Sequence, residues 1–473
     1  MNASFRLTRL VMAGGIAVVP ALGLLTQAAG ADGAATPGAT RAMPAGPAAA
    51  AAYAAPANVF VPDSSRELPG DAGARAHTNY FVRMVNGVQP RTLSDLAAPA
   101  PAAAGVVPDA TFAEYPASLA CVYGVGKAKY AGCVPTNNSA YNAKGGSGAI
   151  AIVIAYDNPT AAADLSFFSS FFGLPAAKFS KIYANGNGNC TVPPFNSGWA
   201  LESALDTQWV HAMAPSARVI LVEACSNSYV DLMYAEQVAE QALLPYNGGQ
   251  ISNSWSSGEF ATESSDWDWV FRANWTAGKP ISFFFSSGDA GLGPQYPSSS
   301  PWVVSVGGTT INRDPTTQYF QSESCWAGSG GGTSVYETYS STFGTGTGPW
   351  ANYQYPLFGQ ANRRAPDISL DADPASGAYV RYNGAWYVVG GTSLSAPAVA
   401  GIVNNSGNKL GVAPSAGGYY SNMEDNLIYA QLFTQKEYKT NYYDVTTGSN
   451  GSAATVGWDY CTGVGSPRGR LGK

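Results

Sequence analysis

Between residues 148 and 306 the chain alternates short, unbroken apolar runs with longer mixed stretches. Ala149 to Tyr156 is apolar throughout and has the length of a strand buried on both faces. Asp157-Asn158-Pro159-Thr160 supplies a turn and cap, Ala161 to Phe172 has the length of a helix, and Gly173 and Pro175 close it. The same alternation predicts helices over Trp199 to Met213, Val230 to Leu244 and Glu263 to Ala277, and strands over Arg218 to Ala224, Gln250 to Trp255, Pro280 to Phe285 and Trp302 to Val306. Strands alternating with helices imply an α/β fold, a mostly parallel sheet with helices on both faces. Ligands of such sheets bind at the carboxyl ends of the strands. Asn312 to Asn362, rich in Gly, Ser, Thr and Tyr, reads as surface loops with short strands.

A second apolar run, Ala385 to Val389, leads into Gly390-Gly391-Thr392-Ser393-Leu394-Ser395-Ala396-Pro397 and then the Ala/Val-rich stretch Ala398 to Val403. This reads as strand, glycine turn and buried helix. Ser393 falls at the helix N-terminus, in the positive end of the dipole. Glycines beside it allow a substrate backbone to come close, and Pro397 sits in the first turn, where its missing N–H costs little. The plainer alternative is a serine that merely caps the helix.

A nucleophilic serine needs a base, and the chain holds only two histidines, His77 and His211. His77 lies in an Ala/Pro-rich leader, expected to be outside the catalytic unit, and His211 has no context that would present it to a nucleophile. A carboxylate is the better candidate. Glu202 and Asp206, four apart, share one face of the predicted helix, and no Lys or Arg lies between Leu201 and Ala217. Paired carboxyl groups are an acid–base device, a solvated acidic face being the alternative. Ser286-Ser287-Gly288-Asp289-Ala290-Gly291 follows a predicted strand and puts Asp289 at its carboxyl end. Asp289 either stabilises that turn or, protonated, donates to a developing oxyanion.

The bulk numbers set the surroundings. The chain has 473 residues, enough for one large domain and a leader. Only 12% are charged and the formal net charge is −6. A surface poor in Lys and Arg repels itself less when its carboxylates protonate, which suits acid. No basic stripe points to nucleic acid. Arg6 and Arg9 precede an apolar run from Leu10 to Leu25, and Ala29-Gly30-Ala31 offers a cleavage site. Residues 1–31 therefore read as a signal peptide, and the protein is expected to be secreted, to the extracellular space or the periplasm, with no membrane span after signal cleavage. Residues 32–110, rich in Ala, Pro and Gly, read as a largely flexible leader or propeptide, with a strand over Asn79 to Val88, and residues 111–473 as the catalytic domain. Six cysteines in an exported chain suggest disulfides. Several connectivities are open, and neighbour pairing is the working expectation.

Taken together, Ala155-Tyr156-Asp157-Asn158-Pro159, Phe171-Phe172-Gly173-Leu174-Pro175, Glu202-Ser203-Ala204-Leu205-Asp206, Ala214-Pro215, Ser286-Ser287-Gly288-Asp289, Ala365-Pro366-Asp367-Ile368-Ser369 and Gly391-Thr392-Ser393 resemble the sedolisin family of serine-carboxyl peptidases. The resemblance runs from about Tyr115 to Gly469 and implies a subtilisin-like fold. It implies Ser393 as nucleophile, Glu202 as general base, Asp206 hydrogen-bonded to Glu202, and Asp289 as oxyanion donor beside the Ser393 N–H. Trp255 resembles a family position near the carboxyl network. The substrates implied are proteins or peptides, and the expected state is a monomer. Tyr443 to Gly448 with Gly457 to Gly463 resembles the family's calcium loop. One structural Ca²⁺ would be held by the Asp444 and Asp459 side chains and the carbonyls of Val445, Thr455 and Gly457. Thr455 stands where the family usually has glycine, and residues 32–110 are much shorter than the family's folded propeptide. Processing near Val107 to Tyr115 is expected. The alternatives are a subtilisin-like protease, which shares the Gly-Thr-Ser-x-Ser-Ala-Pro stretch but needs a histidine base, and an inactive secreted binding protein on the same scaffold.

Overall fold

The computed structural model describes residues 53–84, 95, 113–126, 130–137, 144–272, 279–338, 354–414 and 420–473. The signal peptide and residues 107–112 of the expected processing region, Val107 to Tyr115, lie outside the described residues, and Ala113 to Tyr115 are buried. In chain order the strands begin with β1 (Val59–Phe60), β2 (His77–Thr78) and β3 (Phe81–Arg83). Helix α1 (Pro116–Val122) follows, then β4 (Ala149–Ala155), α2 (Ala161–Phe171), β5 (Lys178–Ala184), α3 (Ser197–Met213), β6 (Arg218–Ala224) and α4 (Tyr229–Leu243). Next come β7 (Gly249–Asn253), β8 (Trp255–Gly258), α5 (Glu263–Asp266), α6 (Asp268–Arg272), β9 (Ile281–Ser286), β10 (Gln295–Tyr296), β11 (Val304–Arg313), β12 (Phe320–Cys325) and β13 (Gly332–Thr338). After β14 (Asn362–Ala365), β15 (Ile368–Asp371), β16 (Ala378–Tyr382) and β17 (Ala385–Gly390), the chain enters helix α7 (Thr392–Ser406).

An eight-stranded sheet in the order β12-β11-β9-β7-β4-β6-β5, with β15 also paired to β11, forms the centre. Among the described residues of this sheet, seven strands run parallel and β12 is antiparallel. The reason is in the residues. Every position of β4 and nearly all of β6, β7 and β9 is buried, as strands covered on both faces require. Helices α3 and α7 pack on one face, with Leu201, Trp209, Val399 and Ile402 in the same cluster as Phe284 and Ile368. Helix α4 covers the other face through Leu232, Met233 and Leu243. Gly401 lets α3 and α7 meet closely, since a Cβ there would stand 2.7 Å from Met213 Cβ and 3.1 Å from the Val210 carbonyl. Disulfides join Cys121–Cys133, Cys190–Cys225 and Cys325–Cys461.

Three local features differ from the expectation. Strand β5, with its alternating polar residues, is an edge strand that the apolar-run criterion misses. The stretch predicted as one helix from Glu263 breaks at Trp267 into α5 and α6, and its predicted end lies outside the described residues. Residues 53–84 do not behave as a loose leader. β3 pairs β1 and β17, and β2 pairs β8, so the segment belongs to the same compact unit as the domain. Its Ala/Pro/Gly composition carries no periodicity because its order comes from strands elsewhere in the chain.

Four carboxyl groups, Glu259, Glu263, Asp268 and Glu337, gather beside Tyr296, whose hydroxyl donates to Asp268 Oδ1 at 3.2 Å. Burial raises the pKa of each, and the charges of Asp268 and Glu263 raise Glu337 further, with Arg272 opposing at Asp268. Above the ordinary carboxyl range, roughly pH 4.5, the folded state therefore holds protons that the unfolded chain has released. Stability from these groups is complete below that range and is lost as pH rises through the raised folded values. Thermal melts should give the highest Tm in acid, falling towards neutrality and beyond. Glu337→Gln should flatten the fall, and a Tm that climbs from about pH 4 to pH 8 would contradict this reading.

Candidate active site

Ser393 lies in the first turn of α7, where main-chain N–H groups have no partner within the helix. Its side chain is 0% exposed. The turn that delivers it hinges on Gly391, whose φ is +116°. An added Cβ at 391 would stand 2.3 Å from the Asn79 carbonyl oxygen and 2.5 Å from Asp289 Oδ2.

Glu202 and Asp206 both lie on the same side of α3, facing α7, and both are 0% exposed. The helix is started by Asn196, whose side chain accepts from the N–H groups of Gly198 and Trp199 at 3.0 and 3.2 Å. The Ser393 hydroxyl donates to Glu202 Oε2 at 3.0 Å. Asp206 Oδ1 accepts from the Ser254 hydroxyl at 2.6 Å. Ser254 is there because β7 and β8 are interrupted at that one residue, so a single strand predicted from Gln250 to Trp255 is in fact two. The bond from Ser254 engages one oxygen of Asp206 and leaves Oδ2 for the hydrogen bond expected with Glu202. Two carboxylates can bond each other only when one is protonated, and Glu202 Oε1 and Asp206 Oδ2 are both left without a donor. Burial pushes the pKa of both well up, and the charge of Asp206 raises Glu202 further.

Asp289 follows β9 at the carboxyl edge of the sheet, 8% exposed. Its Oδ1 accepts from Thr392 N–H at 2.8 Å and Thr392 Oγ1 at 2.7 Å, while Oδ2 has no donor. Burial pushes its pKa up to about 8, the two Thr392 bonds opposing. Below neutrality the carboxyl is therefore protonated, and Oδ2 becomes the oxygen free to donate.

Neither histidine contacts Ser393. His211 Nε2 meets the Pro175 carbonyl at 2.9 Å in the buried last turn of α3. His77, expected to lie outside the folded unit, is 7% exposed within it and faces Glu67 at 3.8 Å. Trp255 is a core residue whose indole N–H donates to the Val153 carbonyl. Sequence reading gave no sign of Ser254 or Asn79 as neighbours of the site. Asn79 N–H approaches Ser393 Oγ at 3.2 Å across 314 positions, and only the fold could show it.

Among known proteins, a model of the Subtilase family matches residues 180–406. Xanthomonalisin from Xanthomonas sp. (strain T-22) is 26% identical over 64% of this chain and 40% of its own length. Sedolisin from Pseudomonas sp. (strain 101) and kumamolisin from Bacillus sp. (strain MN-32) are each 27% identical over 64% of this chain, covering 53% and 55% of themselves. The solved structure of Pseudomonas sedolisin complexed with two molecules of pseudo-iodotyrostatin superposes with a TM-score of 0.56 at 22% identity, over 76% of this chain and 96% of that one. The chain is similar to the sedolisin family, which these matches support. It spans about half the length of the curated relatives it matches, and the sedolisin superposition places its fold among the subtilisin-like α/β sheets.

The C-terminal loop brings Asp444 and Asp459 to the same turn. Asp444 Oδ1 accepts from Gly457 N–H at 3.0 Å, and Asp459 Oδ2 from Thr455 N–H at 3.0 Å. Asp459 Oδ1 also accepts from the N–H groups of Cys461 and Thr462. No group of three or more His, Cys, Asp or Glu that could hold a metal ion occurs at this loop or elsewhere among the described residues. The donor set is nonetheless hard oxygen from two carboxylates in one tight turn, which fits calcium in kind. An ion held there would need further oxygens from main-chain carbonyls.

Gly391→Ala tests the geometry. The substituted residue would have to adopt a positive φ and clash with two oxygens, at a cost of about 1–3 kcal/mol before any relaxation. Chemical denaturation should show that loss, whereas a variant of unchanged stability would mean that the close approach is not required.

Proposed function

We propose that the protein is a secreted serine-carboxyl endopeptidase that works in acid, with Ser393 as nucleophile, Glu202 as general base, Asp206 as the second carboxyl and Asp289 as oxyanion donor. The observation that carries this reading is the 3.0 Å hydrogen bond from the Ser393 hydroxyl to a buried carboxylate, with no imidazole in contact. Glu202 and Asp206 titrate as a pair. With one proton between them, Glu202 keeps the capacity to accept the hydroxyl proton as the serine oxygen attacks a peptide carbonyl. Protonated Asp289 would then donate to the oxygen that gains charge, and ionised Asp289 would repel it. Both requirements need a carboxyl that keeps its proton, which the raised values of these groups favour below neutrality.

A subtilisin-like reaction lacks its base, since His77 and His211 are both engaged elsewhere. A binding protein without activity gives no reason to bury an unpaired carboxyl pair against a serine. The substrates proposed are proteins and peptides, acted on by a monomer. Three disulfides and the low charge content support export to an acidic exterior. One Ca²⁺ held by Asp444, Asp459 and the carbonyls of Val445, Thr455 and Gly457 would add rigidity to the loop and takes no part in the chemistry.

Digestion of casein across pH 2–7 should peak in the acid half of that range. Ser393→Ala and Glu202→Gln should each lower the rate by at least about 10³-fold. A peak at neutrality, or retained activity in either variant, would refute the assignment. For the loop, a calcium chelator should lower the Tm of the wild-type protein and leave that of Asp444→Asn unchanged. Equal melting with and without chelator would remove calcium from the proposal.

A further inference from the structure

Residues 77–83 cross the site as an extended strand. β2 pairs with β8 on one side, His77 opposite Ser256 and Thr78 opposite Trp255. β3 pairs with β17 on the other, Phe81 opposite Gly390. Between the two lies Asn79. Its carbonyl oxygen accepts from the Ser393 N–H at 2.9 Å, and its own N–H donates to Ser393 Oγ at 3.2 Å. Any Cβ at Gly391 would touch both this carbonyl oxygen and the orphan Asp289 Oδ2, so the two oxygens share one small space. The Asn79 carbonyl therefore sits where a substrate carbonyl must sit, bracketed by nucleophile, main-chain donor and carboxyl.

The Asn79 side chain enters a polar recess and is 1% exposed with its residue. Its amide nitrogen donates to Ser256 Oγ at 2.8 Å and Ser286 Oγ at 2.7 Å. The Ser256 hydroxyl lies 2.5 Å from Gln295 Oε1 and 3.1 Å from Asn79 Oδ1, and donates to one of them. Both N–H groups of the carboxamide are thus used. Leucine in their place would leave the Ser286 oxygen without its donor, and an aspartate would offer only acceptors. The flanks are held too. Thr78 Oγ1 donates to Ser64 Oγ at 3.0 Å, Ser65 Oγ to the Tyr80 carbonyl at 2.8 Å, and Tyr80 Oη to the Gly198 carbonyl at 2.9 Å.

We infer that residues 77–82 occupy the peptidase cleft as a built-in substrate, that Asn79–Tyr80 is the bond presented to Ser393, and that the recess of Ser256, Ser286 and Gln295 selects a carboxamide side chain before the cut. This rests on the peptidase reading above. In the step it implies, the Ser393 oxygen bonds to the Asn79 carbonyl carbon while its proton passes to Glu202. The bond to the Tyr80 nitrogen breaks as that nitrogen takes the proton. Water then hydrolyses the Asn79 ester, restoring the Ser393 hydroxyl and leaving a carboxyl group on Asn79 and an amine on Tyr80. Until then the chain covers its own catalytic groups, in keeping with the complete burial of Ser393, Glu202 and Asp206. Two-sided strand pairing is a common way for a protein to hold an extended peptide.

The test uses the full-length protein, purified near neutral pH and shifted to about pH 4, with Ser393→Ala and Asn79→Leu alongside. Amino-terminal sequencing should find a new chain start at Tyr80 in the wild type, none in Ser393→Ala, and a slower one in Asn79→Leu. Because Asn79→Leu could fail to fold, the processed enzyme is also given two synthetic peptides, one copying residues 75–84 and one with leucine in place of Asn79. The first should be cut between the positions of Asn79 and Tyr80 with a kcat/KM at least about 10²-fold higher. Absence of a Tyr80 start, or equal cleavage of the two peptides, overturns the inference even where casein is digested, and the peptidase reading then stands without it. No cleavage of casein or of either peptide at any pH overturns both.

Discussion

A serine hydroxyl pressed against a carboxyl that water cannot reach is the constraint on which the rest of the molecule depends. Ser393 and Glu202 belong to different helices, and a 3.0 Å bond between them tolerates little slack. Gly401 permits the two helices to approach, Asn196 fixes where the acidic helix starts, and Gly391 lets the chain turn sharply into the other. Burial then does the electrostatic work. An exposed Glu202 would titrate like any surface acid, whereas inside the protein its charge competes with that of Asp206 and both values move up.

The parts of this arrangement visible in the sequence are those set by local periodicity. The central strands were legible because both faces of each are covered and the runs are apolar throughout. The four-residue spacing of Glu202 and Asp206 was legible because a helix turns that spacing into one face. Asp289 and Ser393 were legible because each follows a strand and sits among glycines. Where local pattern gives out, so did the reading. Strand β5 alternates because it is an edge, and Ser254 became a partner of Asp206 only through a one-residue interruption between strands. Residues 53–84 have no pattern of their own, and their order is borrowed from β8 and β17. The contact of Asn79 with Ser393 joins positions 314 apart, which no window on the sequence can see.

Acid recurs at several scales in this chain. The surface carries few Lys and Arg, so protonation of its carboxylates leaves a modest positive charge. The interior holds a second group of raised carboxyls around Tyr296, remote from the serine in sequence. Low charge outside and neutralised acids inside favour the same conditions as the carboxyl pair at Ser393. On the function proposed above, fold and site would share one physical cause for favouring acid, the cost of a charge deprived of water.

The Cys325–Cys461 bridge closes a covalent ring of chain between positions 136 apart, from the antiparallel edge strand β12 to the turn that contains Asp459. Ser393 lies within that ring, while Glu202 and Asp289 precede it. A single nick anywhere between residues 326 and 460 consequently releases nothing: both pieces stay tethered by sulfur. For the peptidase proposed above, a cut there by another copy of the chain would leave one covalent molecule.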